Sequence, residues 1–280
     1  MNAGNAPMID PAMAPLSVDD RGAGSPVVLL HSGGMSSRQW RSLSERLASS
    51  HRVLAPDFLG SGKNPPWPDD VPFGYGLDVA AVARVLDALD GPVHLVGHSY
   101  GGLVALTLAR TLPHRVRSLA VYDPVAFGVL HDTADPAGLA DLERASSQPV
   151  FTDETLGGGE AWMQSFVDFW NGPGAWRSLP ASSREQFLRV GRKVFREVMS
   201  LMADRTGAAA YAAATAPTLL LSGERSPVSA QRVTEVLRGA MPHARREVIA
   251  GAGHMGPLTH SAAVEELIAQ HIAAHDGAAT

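Results

Sequence analysis

Short apolar runs alternate with longer helical patterns along most of this chain, and that alternation constrains its fold more than any other feature. The run Pro26-Val-Val-Leu-Leu-His31 is what a strand needs when both faces of its sheet are covered. Further strands are read at Arg52–Pro56, Val93–Gly97, Val116–Tyr122, Thr218–Ser222 and Arg245–Ile249. Between them, helical spacing is read over Trp40–Ser49, Leu77–Leu89, Leu103–Leu112, Ala230–Met241 and Ala262–Ala273. Turn signals such as Asp90-Gly91-Pro92, and Pro113 after Leu112, end two of these helices. Strands alternating with helices predict an α/β fold, a parallel sheet with helices on both faces.

The alternation stops between Pro124 and Pro217. Helical patterns at Glu160–Trp170 and Arg184–Met202 and turns such as Asn171-Gly-Pro-Gly174 fill that interval without a strand. Residues 125–215 are therefore expected to form a helical cap inserted into a core made of 16–124 and 216–280. An insertion following a strand end sits over the carboxyl edge of the sheet, where open α/β folds bind ligands. Trp162, Phe166, Phe169, Trp170 and Trp176 would either line an apolar pocket there or pack the cap onto the core. Residues 1–15, rich in Ala, Pro and Met and without a period, read as a flexible leader.

Composition narrows the partners. A net charge of −5 and no polybasic block give no electrostatic reason to expect nucleic acid or an anionic membrane. No apolar run approaches a membrane span. The first basic residue is Arg21, so a secretory leader is not expected and the cytoplasm is the default compartment. With no cysteine, thiolate metal sites and cysteine nucleophiles are excluded. A small-molecule substrate is the expected partner, with oligomeric state left open.

The chemistry concentrates at Gly97-His98-Ser99-Tyr100-Gly101, which joins a strand to a helix. A G-x-S-x-G turn in that setting must be very tight, and it leaves the serine hydroxyl at the helix N-terminus. Unpaired N–H groups and a partial positive charge there favour a developing oxyanion. A serine hydroxyl needs a base to take its proton. Among the 11 histidines, His254 lies in Gly251-Ala-Gly253-His254-Met-Gly256, directly after the last strand, and can reach the sheet edge that carries Ser99. His260 starts the final helix, His94 is mid-strand, and His98 packs beneath the turn. The i, i+4 pair His271 and His275 is read as no metal site. The oxyanion donors are expected to be the backbone N–H of Tyr100 and that of Gly33, with Gly34 second, in the loop His31-Ser32-Gly33-Gly34.

His31-Ser-Gly-Gly, Asp57-Phe-Leu-Gly60-Ser-Gly62, the Ser99 turn and Gly253-His254 occur in the order seen in the α/β-hydrolase superfamily, which this chain resembles over residues 16–275. The resemblance implies an eight-stranded, mostly parallel sheet, a Ser–His–acid triad, and neither cofactor nor metal. Asp57 with Gly60 and Gly62 looks like the family's structural turn. Where relatives commonly carry the acid, after Leu219-Leu-Leu-Ser-Gly223, this chain holds Ser226. Asp123, just past the strand that follows the Ser99 helix, is the favoured acid, since some superfamily members place it there, and Glu224 is the alternative.

These residues point to hydrolysis of an ester-like bond of a small, largely apolar substrate through an acyl-enzyme on Ser99. The resemblance leaves open C–C hydrolysis of dienol-ketones, lactone or thioester cleavage, and perhydrolysis. A serine rather than an aspartate nucleophile counts against dehalogenase and epoxide hydrolase chemistry. A non-catalytic ligand-binding module on the same fold is the reading from a different class.

Overall fold

A computed structural model describes residues 10–277. Seven strands form one sheet in the order β1-β3-β2-β4-β5-β6-β7: β1 (Val18–Arg21), β2 (Ser25–Leu30), β3 (His51–Pro56), β4 (Val93–His98), β5 (Val116–Tyr122), β6 (Thr218–Gly223) and β7 (Arg245–Ile249). Every neighbouring pair is parallel except β1, which runs antiparallel to β3 with Val18 opposite Pro56. The expected eighth strand is absent from the described residues. Ahead of β1 the chain makes a 3₁₀ turn at Pro11–Met13, and proline has no N–H to offer a ladder. Residues 1–9 of the expected leader lie outside the described residues.

The unbroken apolar runs follow from coverage on both sides. In β2, Val28 and Leu30 join the core on one face while Val27 and Leu29 join the core on the other. Successive side chains of a strand point to opposite faces, so in a sheet covered twice apolar residues are favoured at successive positions. On the first face lie α2 (Tyr75–Asp87), α3 (Tyr100–Thr111) and α10 (Val228–Ala240), contributing Leu86, Leu103 and Leu237. On the second lie α1 (Arg41–Leu47) and α12 (Ser261–His275), contributing Leu43 and Ile268.

Between β5 and β6 there is no strand. Helices α4 (Gly128–Asp132), α5 (Pro136–Ser146), α6 (Pro149–Thr152), α7 (Glu160–Asn171), α8 (Ala175–Ser178) and α9 (Ala181–Ala203) occupy the interval. They hold a core of their own around Trp162, Trp176 and Phe195. A four-residue α11 (Gly256–Thr259) precedes α12. No helix among the described residues is long and apolar enough to cross a membrane.

Candidate active site

β4 ends at His98 and α3 begins at Tyr100, so Ser99 alone makes the turn, with φ 54° and ψ −116°. Positive φ is costly for a residue with a Cβ and persists only where the surroundings impose it. Here they do. The Ser99 N–H donates to the carbonyl of Tyr122 on β5 at 2.9 Å. The flanking glycines are required by close approach: a Cβ on Gly97 would lie 2.3 Å from the Gly101 carbonyl oxygen, and one on Gly101 would lie 2.4 Å from that of Leu30.

The structure brings Ser99, His254 and Asp123 together from three strand ends. His254 Nε2 lies 3.0 Å from Ser99 Oγ, and its Nδ1 lies 3.1 Å from Asp123 Oδ2. Asp123 sits directly after β5 with φ 42° and is fully buried. Ser226, at the position where an acid was expected by resemblance, donates its hydroxyl to the same Asp123 oxygen at 2.5 Å. Glu224 points elsewhere, accepting the Gly251 N–H at 2.8 Å. The Trp170 ring stacks on the His254 ring at a centroid distance of 3.8 Å. Burial lowers the His254 pKa to about 3, so the imidazole is neutral and able to accept a proton at neutral pH. Burial likewise pushes the Asp123 carboxyl well above its ordinary value, against the opposing pull of the Ser226 hydroxyl.

Gly33 and Tyr100 border the same cavity as Ser99. Tyr100 opens α3, so its N–H has no intrahelical acceptor. The loop carrying Gly33 is tied to the other segments by Gln39, whose importance no sequence signal announced. Gln39 Oε1 accepts from the Ser32 N–H and hydroxyl at 2.9 and 3.0 Å, and its amide meets His98 Nδ1 at 3.0 Å. His98 Nε2 in turn lies 2.8 Å from the His254 carbonyl oxygen. One buried chain thus joins the Gly33 loop, the Ser99 turn and the His254 loop. His31 does no more than hold its loop: Nε2 accepts the Phe58 N–H at 3.1 Å and Nδ1 donates to the Ser32 carbonyl at 2.7 Å. Asp57 is structural as expected, accepting the N–H groups of Ser37 and Lys63 at 2.6 and 2.9 Å.

Two spaces meet at Ser99. One is a small cavity of about 40 Å³ between the Ser99 turn and α7 and α9, apolar apart from Glu197 and the Ser99 turn itself. The other is a cleft of about 1020 Å³ bordered by His254 and Met255. Phe166, Phe169 and Trp170 face the small cavity, whereas Trp162 and Trp176 are buried in the core of the inserted helices, so both expectations for these aromatics hold for different members. A buried charge cluster underlies the site: Lys193 ties to Asp78 Oδ2 at 2.9 Å and to Glu197, and the Tyr100 hydroxyl donates to Asp78 Oδ2 at 2.7 Å. At the far end of the strands, His51, His94 and Asp276 bring three ligand-type atoms within 4.8 Å of one another. There each imidazole Nε2 lies 3.3 Å from a different oxygen of the carboxylate, a tie between the C-terminal segment and the sheet.

Known proteins agree with this architecture. A 2-hydroxymuconate semialdehyde hydrolase of a Pseudomonas species (strain CF600) is 28% identical over 275 residues, covering 94% of this chain and 92% of that one. A 2-hydroxy-6-oxo-2,4-heptadienoate hydrolase of Pseudomonas putida is 39% identical over 123 residues, 42% of this chain, and the match spans only 44% of that relative's length. A thermophilic esterase from Thermogutta terrifontis superposes with a TM-score of 0.69 at 24% identity, covering 93% of this chain and 94% of that one, a likeness of fold. The family model for the α/β hydrolase fold matches residues 25–261. With these comparisons and its seven-stranded sheet, the chain belongs to the α/β-hydrolase fold family and is a hydrolase.

Proposed function

We propose that this hydrolase cleaves an ester-like bond through an acyl-enzyme on Ser99. The observation that carries the reading is the 3.0 Å contact between His254 Nε2 and a serine oxygen held at positive φ on a helix N-terminus. His254 takes the Ser99 proton as the oxygen attacks the substrate carbonyl, and Asp123 orients the ring and stabilises the imidazolium that forms. The N–H groups of Gly33 and Tyr100 hold the tetrahedral oxyanion. His254 then protonates the leaving alcohol, which must therefore occupy the larger cleft that His254 borders. The acyl group takes the small cavity on the other side of Ser99. Water activated by His254 finally clears the acyl-enzyme. Helices α4–α9 act as a cap that excludes bulk water from these steps. The substrate is small and largely apolar, and the chemistry asks for no cofactor.

A second reading is favoured by the two Pseudomonas relatives, a 2-hydroxymuconate semialdehyde hydrolase and a 2-hydroxy-6-oxo-2,4-heptadienoate hydrolase. The same three residues acting on a dienol-ketone would break a C–C bond in place of an ester bond. A panel of chromogenic esters of varied acyl length, run beside a dienol-ketone and with Ser99→Ala as control, separates the two. Ester turnover that falls to the buffer rate in Ser99→Ala is the expected result. Turnover of the dienol-ketone alone would transfer the assignment to C–C hydrolysis, and ester turnover equal in both proteins would remove Ser99 from the mechanism.

A further inference from the structure

Resting on the acyl-enzyme reading above, we propose that Glu197 determines substrate specificity, with its free Oε2 anchoring a hydroxyl on carbon 2 or 3 of a short acyl group. Glu197 lies on α9 and is 1% exposed. Its Oε1 is taken by Lys193, one turn earlier. Asp78, the other carboxylate of the cluster, is fully engaged: Oδ1 accepts the Leu59 N–H at 2.9 Å, and Oδ2 takes both Lys193 and the Tyr100 hydroxyl. Among the described residues Oε2 of Glu197 has no such partner. It lies over the oxyanion loop, close enough that a Cβ built on Gly33 would be 2.9 Å from it.

Apart from Glu197 and the Ser99 turn, the residues around this cavity are apolar, with Val125, Leu142, Phe166 and Val198 among them. Oε2 is at the border of this cavity and is not among the fully enclosed atoms, so a group seated in the cavity can hydrogen-bond to it. Because Oε2 lies beside Gly33, an acyl chain whose carbonyl oxygen sits at the Gly33 N–H brings the carbons next to that carbonyl, its second and third, within reach of it. Two carboxyls share one ammonium here, and burial raises the Glu197 pKa to about 7 against the pull of Lys193. The carboxyl therefore presents both an acid form that donates and an anion that accepts. A hydroxyl pairs with either form, whereas a keto oxygen can only accept and an ammonium can only donate. The small volume limits the acyl group to a short chain.

The test is hydrolysis of ethyl butyrate, ethyl 2-hydroxybutyrate and ethyl 3-hydroxybutyrate at pH 7, followed by acid release, with wild type, Glu197→Gln and Glu197→Leu. The readout is the ratio of kcat/KM for a hydroxylated ester to that for ethyl butyrate. Wild type is expected to favour one hydroxylated ester by about 10-fold or more, the discrimination one buried hydrogen bond supplies. Glu197→Gln, which keeps a donor and an acceptor, should retain that ratio, and Glu197→Leu should bring it to one or below. A wild-type ratio of one or less overturns the inference, and this arm decides even if the leucine variant fails to fold. A preference that survives unchanged in Glu197→Leu overturns it equally. If wild type hydrolyses none of the three esters and Ser99 is inert to acylating reagents, the acyl-enzyme reading itself has failed and this inference falls with it.

Discussion

Ser99 and Asp123 both hold positive φ, 54° and 42°, without being glycine. Each is the first residue beyond a strand, and each is pinned through its backbone to the neighbouring strand: Ser99 N–H to Tyr122 O, and Asp123 N–H to Leu221 O, both at 2.9 Å. The ladder imposes the strain, and the result is that both side chains turn toward His254. Ser226, after β6, bonds across to the carboxylate after β5. Its hydroxyl donates to the Asp123 oxygen that faces His254, and so holds that carboxylate in place. Asp123→Asn should accordingly lower kcat for ester hydrolysis on the order of 10⁴-fold, since the amide cannot stabilise the imidazolium. Glu224→Gln, at a side chain bonded to Gly251, should change kcat by less than about 3-fold. The opposite ranking in steady-state kinetics would assign the acid role to Glu224. Gln39, by contrast, was invisible in the sequence. An exposed-looking glutamine before a tryptophan gives no hint that it bridges Ser32 and His98, because that bond depends on residues 59 positions apart.

At the scale of elements, α3 is the member on which the site depends. Residues Tyr100–Ala109 are almost entirely buried, so the helix is apolar on every side and cannot rotate to relieve a clash. Gly101→Ala drives a methyl into the Leu30 and His31 carbonyl oxygens, at 2.4 and 2.5 Å, and these are backbone atoms that cannot step aside. A loss of roughly 1–3 kcal/mol or more is expected, read from urea denaturation, with ester turnover falling as Ser99 shifts. An unchanged midpoint would show that the turn has room for a methyl group. Five of the seven strands, β2 to β6, were legible as apolar runs because double coverage removes the polar alternation that would blur them, whereas β7, Arg245–Ile249, is an edge strand buried only at Ile249. β1 was not legible: Val18-Asp-Asp-Arg21 is a charged edge strand, and charge on an edge is a guard against further pairing that carries no burial pattern. The pair Lys193 and Glu197 was equally hidden. At i, i+4 on a helix it reads as a solvated surface pair, and only the docking of α9 over α2 and α3 makes it a buried one.

For the whole molecule, the three layers bury histidines that an unfolded chain would protonate near pH 6.5. Burial lowers His31, His94 and His271 to about 4 and His254 to about 3, and depresses His98 as well. Between those values and 6.5 the unfolded chain binds more protons, so each such group removes up to about 1.4 kcal/mol of stability per pH unit as the pH falls. Glu197, raised to about 7, and Asp123, also raised, act in the opposite sense, because the folded state keeps their protons longer. Five histidines outweigh three acids, since Glu265 is raised as well, so the urea midpoint should drop between pH 7 and pH 5. A midpoint that rises on acidification would contradict the burial of these rings. Whether Ser99 is activated by His254 can be read with a fluorophosphonate reagent, the modified residue being located by peptide mass spectrometry. One covalent adduct is expected, on Ser99, absent in Ser99→Ala and formed far more slowly in His254→Ala. A well-folded protein that takes up no reagent at Ser99 would contradict that activation and favour a site that binds its ligand without reacting.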